Sequence, residues 1–67
     1  MNFNGEELML MMLYNSGTRL GLVHELRLMQ CYMMPGETAL RELSEGVIEK
    51  LKLLTDAQFA EVEFPMD

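Results

Sequence analysis

The side chains best suited to nucleophilic or metal chemistry are the single histidine, His24, and the single cysteine, Cys31. They stand seven residues apart, and on a helix this spacing places them on one face but about 10 Å apart. A metal site requires three or four ligands, and a Cys/His nucleophile pair requires direct contact and an orienting group. We therefore interpret them as an ordinary histidine and a small apolar cysteine.

A second set of candidate groups consists of Glu42, Glu45 and Glu49, which could be read as a metal or acid–base cluster. Their helical spacing places them opposite an apolar seam, in water, where carboxyl pKa values are not shifted usefully. The glycines form neither a phosphate-binding loop nor a dinucleotide fingerprint. We expect no catalytic residue, no metal, no cofactor and no small-molecule substrate, so the protein is not predicted to be an enzyme.

The elements that position these residues are four predicted helices in one domain of 67 residues. The predicted ranges are about 5–15, 19–33, 37–54 and 56–61, followed by a tail at 62–67. Their punctuation is a capping box at Asn4 and Glu7, a cap at Thr18, and a second box at Thr55 and Gln58. Short turns between three long helices predict an all-α fold, a small antiparallel bundle with a short C-terminal helical turn.

The first predicted helix contains seven consecutive apolar residues, 8–14. A buried strand gives the same pattern, but Leu and Met favour helix and β-branched residues are absent. Gly17 suits the left-handed conformation that follows a helix end. Phe64 is predicted to pack back on the bundle.

The second and third helices each carry an apolar stripe at helical spacing. The stripe of the second consists of Leu22, Leu26, Met29 and Met33. The seam of the third consists of Leu40, Leu43, Val47, Leu51 and Leu54, with Ile48 at its flank. Gly46 costs helix stability, so we expect it to mark a close approach to another helix.

Charge and cysteine content bear on location and partners. The net charge is −6, with five basic and eleven acidic residues, which opposes nucleic-acid binding because that rests on phosphate neutralisation. A single cysteine excludes an internal disulfide, the run 8–14 is too short to span a bilayer, and Glu6 and Glu7 stand where a signal peptide would be positive. We expect a cytoplasmic protein that binds no membrane.

The apolar content exceeds what one three-helix core can hide. Leu20, Leu28 and Tyr32 fall outside the stripe of the second helix and are the candidate protein interface. The chain has eight methionines, and methionine is common both on partner-binding surfaces and as filler in loosely packed cores. The composition leaves both interpretations open.

The alternative from another class is a small DNA-binding regulator. The second and third helices are joined by a short turn containing Gly36, as in a helix-turn-helix module. The candidate nucleic-acid contacts are Arg19, Arg27 and Gln30, whereas the outer face of the third helix is mostly acidic. A mimic of nucleic-acid charge is a further, weaker alternative.

Four stretches resemble the transposon-transfer assisting proteins, a family of small proteins encoded in conjugative transposons of Gram-positive bacteria. These stretches are residues 6–8 (EEL), 14–19 (YNSGTR), 43–45 (LSE) with Val47 and 50–51 (KL), and 54–59 (LTDAQF). They span nearly the whole chain in order. The sequence departs from the family at Asn4 and Gly5, where a Ser or Thr cap is expected, and in its methionine-rich first two helices.

The resemblance implies a helical fold and a cytoplasmic accessory role in moving a mobile element between cells. It assigns no catalytic or binding residue. Together with the surplus of apolar residues, it predicts a non-enzymatic protein that binds a protein of the transfer machinery or a second copy of itself as a homodimer. DNA is the less favoured partner.

Overall fold

The computed structural model describes residues 3–62 and Phe64. Within this part of the chain, four segments are helical. Helix α1 spans Gly5–Tyr14, α2 spans Arg19–Cys31, α3 spans Thr38–Leu53, and the short α4 spans Asp56–Ala60. Each of the three long helices contacts the other two. The predicted all-α fold of three main helices and a short C-terminal helix is thereby confirmed, and no strand occurs in the described ranges.

The helix starts follow from side chains that accept hydrogen bonds from free amides of the first turn. Asn4 and Glu7 form a reciprocal capping box on α1, and Thr55 and Gln58 form another on α4. Thr18 accepts from the Gly21 amide at the start of α2. All three predicted caps are confirmed, whereas α3 begins after Glu37 without a side-chain cap.

The helix ends differ slightly from prediction. Helix α2 stops at Cys31, two residues before the predicted end, as the chain turns towards Pro35 and Gly36. The turn after α1 ends at Gly17, whose φ of +98° lies in the left-handed region that glycine favours. Phe64 packs against the core as predicted. The rest of the predicted tail beyond Val62, at position 63 and positions 65–67, lies outside the described residues.

The core draws apolar side chains from all three long helices and from the residue after α3. Its buried members are Leu10, Met11, Leu22, Leu26, Val47, Ile48, Leu51 and Leu54. Met29 and Met33, predicted for the same stripe as Leu22 and Leu26, are half-buried at the edge. Phe3, Phe59 and Val62 cover the core from outside the long helices.

The buried face of α3 is rotated from the predicted seam. Ile48, predicted at the flank, is fully buried, and so is Ser44, whereas Leu40 and Leu43 are half-buried. Ser44 is accommodated because its hydroxyl donates to the Arg41 carbonyl at 2.9 Å and accepts from Gln30 Nε2 at 2.8 Å. A buried hydroxyl with both bonds satisfied costs little. The α2–α3 contact therefore has a polar centre.

Two helical glycines have different surroundings. A Cβ at Gly46 would lie 3.7 Å from Glu7 Oε2 of α1, which is an ordinary van der Waals distance. The neighbour of Gly46 is therefore a side chain of α1, and a methyl group would fit between them. A Cβ at Gly21 would lie 2.7 Å from Thr18 Oγ1 and would clash with Ser16 Oγ. A methyl group at position 21 would therefore displace the Ser16 and Thr18 hydroxyls, whereas position 46 has room for one.

Gly46→Ala is expected to raise the free energy of unfolding by about 0.5–1 kcal/mol, because alanine restricts the unfolded chain and fits the available space. Gly21→Ala, the matched substitution in α2, is expected to lower it, because the added methyl displaces the Thr18 cap. Urea unfolding followed by circular dichroism at pH 7 measures both. A loss of stability in the Gly46 variant would contradict the spacing described for α1 and α3.

Candidate functional site

A groove opens on the surface beside α2, with the end of α1 and the beginning of α3 as its other walls. Its volume is about 520 Å³. The apolar lining consists of Tyr14, Leu28, Met29, Tyr32, Met33 and Leu40. The charged lining residues are Glu25 and Glu37. We call this surface the α2 groove.

Leu28 and Tyr32, two of the three residues predicted as a protein interface, lie in the α2 groove. Leu28 lies on α2 and Tyr32 directly follows the end of this helix, while Leu22 and Leu26 of α2 are fully buried. Leu28 is 42% exposed and Tyr32 is 85% exposed. The groove thus presents large apolar side chains to solvent.

Leu20, the third predicted interface residue, lies elsewhere. It is 67% exposed and lines a second groove, of about 480 Å³, between the start of α2 and α4. Gly17, Thr18, Arg19, Asp56, Phe59 and Ala60 complete the lining. Eight residues of helix rotate Leu20 by about 80° from Leu28. The structure therefore does not bring the three residues into one patch.

Arg19, predicted as a nucleic-acid contact, is engaged inside the chain. Its Nε donates to Asp56 Oδ1 at 3.0 Å, and its Nη1 donates to the Leu51 carbonyl at 3.1 Å near the end of α3. The Arg19 side chain is 18% exposed. It joins the starts of α2 and α4 to the end of α3, so binding a phosphate would require it to leave these partners.

The other two predicted nucleic-acid contacts also bond within the chain. Arg27 Nη1 donates to Glu45 Oε1 at 3.2 Å and to Gln30 Oε1 at 3.3 Å. Gln30 donates from Nε2 to the buried Ser44 hydroxyl. The Arg27–Glu45 pair is close to half exposed on both sides, and such pairs are weak. Arg27 is therefore the easier of the two arginines to redirect to a ligand.

Glu7 is a buried carboxylate, and buried carboxylates are candidates for a catalytic acid or base because burial shifts their pKa. Its Oε1 accepts from Lys50 Nζ at 2.7 Å and from the Asn4 amide at 2.9 Å. Burial raises the pKa of Glu7, but the hydrogen bonds from Lys50 and Asn4 and the positive charge of Lys50 outweigh it, so the pKa lies below its ordinary value of 4.5. A general acid or base requires a pKa nearer the working pH, so this carboxylate is suited to a structural ion pair.

The Glu7–Lys50 pair could not be found from local sequence, because its members are 43 residues apart. The capping motif identified Glu7, but nothing near Lys50 identifies its partner. Lys50 Nζ also lies 5.5 Å from the centroid of the Phe3 ring, within the range of a cation–π contact. The three residues together fasten the beginning of α1 to α3.

His24 and Cys31, which were interpreted from the sequence as an ordinary histidine and a small apolar cysteine, are both exposed on α2. Within residues 3–62 and 64, no three His, Cys, Asp or Glu side chains are grouped so as to hold a metal ion. None of the described helices has the length and apolar character needed to cross a membrane.

Comparison with known proteins matches residues 3–65 to the model of one family, described as "Putative transposon-transfer assisting protein". The match covers nearly the whole chain, including all four helices and both grooves. Neither the curated proteins nor the solved structures contain a match to this chain. The family described by this model is the one that the four sequence stretches resemble.

Glu7→Gln is expected to destabilise the protein at pH 7 by about 1–2 kcal/mol, because the amide keeps the cap but leaves Lys50 without its counter-ion; the one-third exposure of Lys50 limits the loss. A lowered folded-state pKa contributes stability above the ordinary pKa and loses it as pH falls. The difference between wild type and variant should therefore shrink below about pH 4.5.

Urea unfolding at pH 7 and at several values between about pH 5 and 3 tests this linkage. Glu49→Gln, at an exposed position of α3, is the matched control and should track the wild type. Parallel loss of stability in wild type and Glu7→Gln over the whole range would show that Glu7 does not carry the linkage.

Proposed function

The chain belongs to the transposon-transfer assisting protein family, and from that membership we propose that it is a non-enzymatic accessory protein of a conjugative transposon. It acts in the cytoplasm by binding another protein of the transfer machinery. The observation that carries the proposal is the α2 groove. Leu28 and Tyr32 are exposed there, although α2 already contributes Leu22 and Leu26 to the buried core.

Exposed apolar area supports binding because its removal from water contributes about 25 cal/mol per Å². Small proteins always show some apolar surface, so the grouping matters more than the amount. Leu28, Tyr32 and the half-buried Tyr14 and Leu40 come from three different parts of the chain and line one depression. Aromatic side chains in such a position are typical of residues that dominate binding energy.

The contacts of the basic residues favour protein binding over DNA binding. A DNA-binding surface requires Lys and Arg aimed at phosphates, whereas Arg19, Arg27 and Lys50 each form an ion pair within the chain. Redirecting Arg19 would also detach α4 from α2. DNA binding thus remains a rival that an experiment can separate, and Arg27 is the more exposed of its two candidate arginines.

Leu28→Asp is expected to abolish assistance of transfer while leaving the circular dichroism spectrum unchanged, because a charge in the groove blocks apolar docking at an exposed position. The measurement is transconjugants per donor in matings, with the gene deleted and each variant supplied in trans. Leu53→Asp, at a position 71% exposed on α3 that lines neither groove, is the matched control. Normal transfer with folded Leu28→Asp would remove the α2 groove from the function.

A tagged pull-down from donor cells, with and without nuclease, identifies the class of partner. A protein retained by wild type and Leu53→Asp after nuclease treatment, and lost with Leu28→Asp, is the expected result. Element DNA that disappears with nuclease, and that is lost in Arg27→Ala, would favour the DNA-binding regulator instead. Leu20→Asp shows whether the second groove contributes.

A further inference from the structure

We propose that the α2 groove takes an amphipathic helix of the partner protein whose apolar stripe is flanked by Lys and Arg. This inference rests on the proposed function and names the chemistry of the occupant.

The floor of the groove fits an apolar helical stripe. Met29 on α2 and Met33 just after it line the groove together with Tyr14 and Tyr32, and both methionines are half-buried. Methionine is unbranched and adapts its shape to the side chain placed against it. Residues of an amphipathic helix at i, i+3, i+4 and i+7 present a stripe of this kind, and helix-in-groove docking uses such anchors.

The charge at the groove specifies basic flanks. Both charged residues among its described lining, Glu25 and Glu37, are acidic. Glu37 Oε2 accepts from the Met34 amide at 3.1 Å, which holds this carboxylate beside the groove. Lys or Arg on either side of a docked apolar stripe would reach these carboxylates, and complementary charge of this kind steers association and fixes orientation.

Three of the chain's five cations pair with carboxylates outside the groove. Arg27 faces Glu45, Lys50 faces Glu7, and Arg19 faces Asp56. None of the five basic residues is among the described residues that line the α2 groove. The groove is therefore acidic within a protein whose net charge is already −6, and a basic segment is the occupant that its field attracts.

A second copy of the chain is a poorer occupant. A two-fold symmetric contact places the same patch on both subunits, which would bring Glu25 and Glu37 of one copy against those of the other. Like charges brought together in a partly desolvated interface oppose binding. The same argument disfavours a partner helix with acidic flanks.

Two synthetic helical peptides of about 18 residues, roughly five turns, test the proposal. They share one Leu/Met stripe and differ in their flanks, Lys in one and Glu in the other. Fluorescence anisotropy should show that the Lys peptide binds at least about tenfold tighter, with affinity falling as salt rises. Amide chemical-shift changes in labelled protein should centre on Leu28, Tyr32 and Leu40.

The matched charge variants decide whether the groove's carboxylates are responsible. Glu25→Gln/Glu37→Gln should reduce the preference for the Lys peptide to about twofold or less. Glu42→Gln/Glu49→Gln changes the charge equally on the outer face of α3 and should leave the preference intact. Leu28→Asp should remove binding of both peptides.

Equal binding of the two peptides, no binding of either, or shift changes on the acidic face of α3 would each overturn the inference. So would self-association in sedimentation equilibrium that Leu28→Asp abolishes, because it would identify a second copy as the occupant. The mating assay distinguishes the two proposals. If Leu28→Asp abolishes transfer but the peptides show no charge preference, the proposed function stands and the basic helix is excluded.

Discussion

The Glu7–Lys50 contact is the interaction on which the arrangement of the helices depends. One carboxylate oxygen, Glu7 Oε1, accepts both from the Asn4 amide that begins α1 and from Lys50 Nζ in α3. Local helix capping and long-range packing are therefore satisfied by a single atom. With α1 held against α3, Leu10 and Met11 face the core and Leu8 and Tyr14 pack against its edge, whereas Met9, Met12 and Leu13 are exposed.

The size of the protein explains why that one contact matters so much. A chain of this length buries about 60% of its unfolded surface, and within residues 3–62 and 64 the buried core consists of eight apolar side chains. Polar contacts complete the helix junctions: Gln30 reaches buried Ser44 between α2 and α3, and Arg19 reaches Leu51 and Asp56 beside α4. Leu28 and Tyr32, two of the apolar residues that the core does not bury, line the groove on which binding is proposed.

Local chemistry could be predicted from the sequence because its causes lie within a few residues. The Asn4–Glu7 and Thr55–Gln58 boxes and the cap at Thr18 are each written in adjacent positions, and the structure confirms them. The buried face of α3 was predicted less well because its centre includes Ser44, a polar residue that an apolar pattern omits. Its place in the core depends on Gln30, which is fourteen residues away and on another helix.

The candidate site shows the same division between local and long-range causes. Helical spacing correctly indicated that Leu20, Leu28 and Tyr32 would be surplus to the core stripe, and all three are exposed. Their division between two grooves depends on where Tyr14, Leu40 and Phe59 approach α2. The spacing of residues within α2 carries no information about these approaches. The sequence likewise indicated that Arg19 was available to bind nucleic acid, whereas the structure places Asp56 and the Leu51 carbonyl beside it. A cation's role is set by partners distant in sequence.

The use of cations to hold helices together also determines the character of the surface. Three of the five basic residues lie in ion pairs that join different parts of the chain. Among the described residues, the acidic side chains outside those pairs are Glu6, Glu25, Glu37, Glu42, Glu49 and Glu61. Because three cations are held in ion pairs within the chain, the described surface presents carboxylates outside these pairs together with exposed apolar side chains. On that combination rests the proposal of a partner that brings its own positive charge together with an apolar stripe.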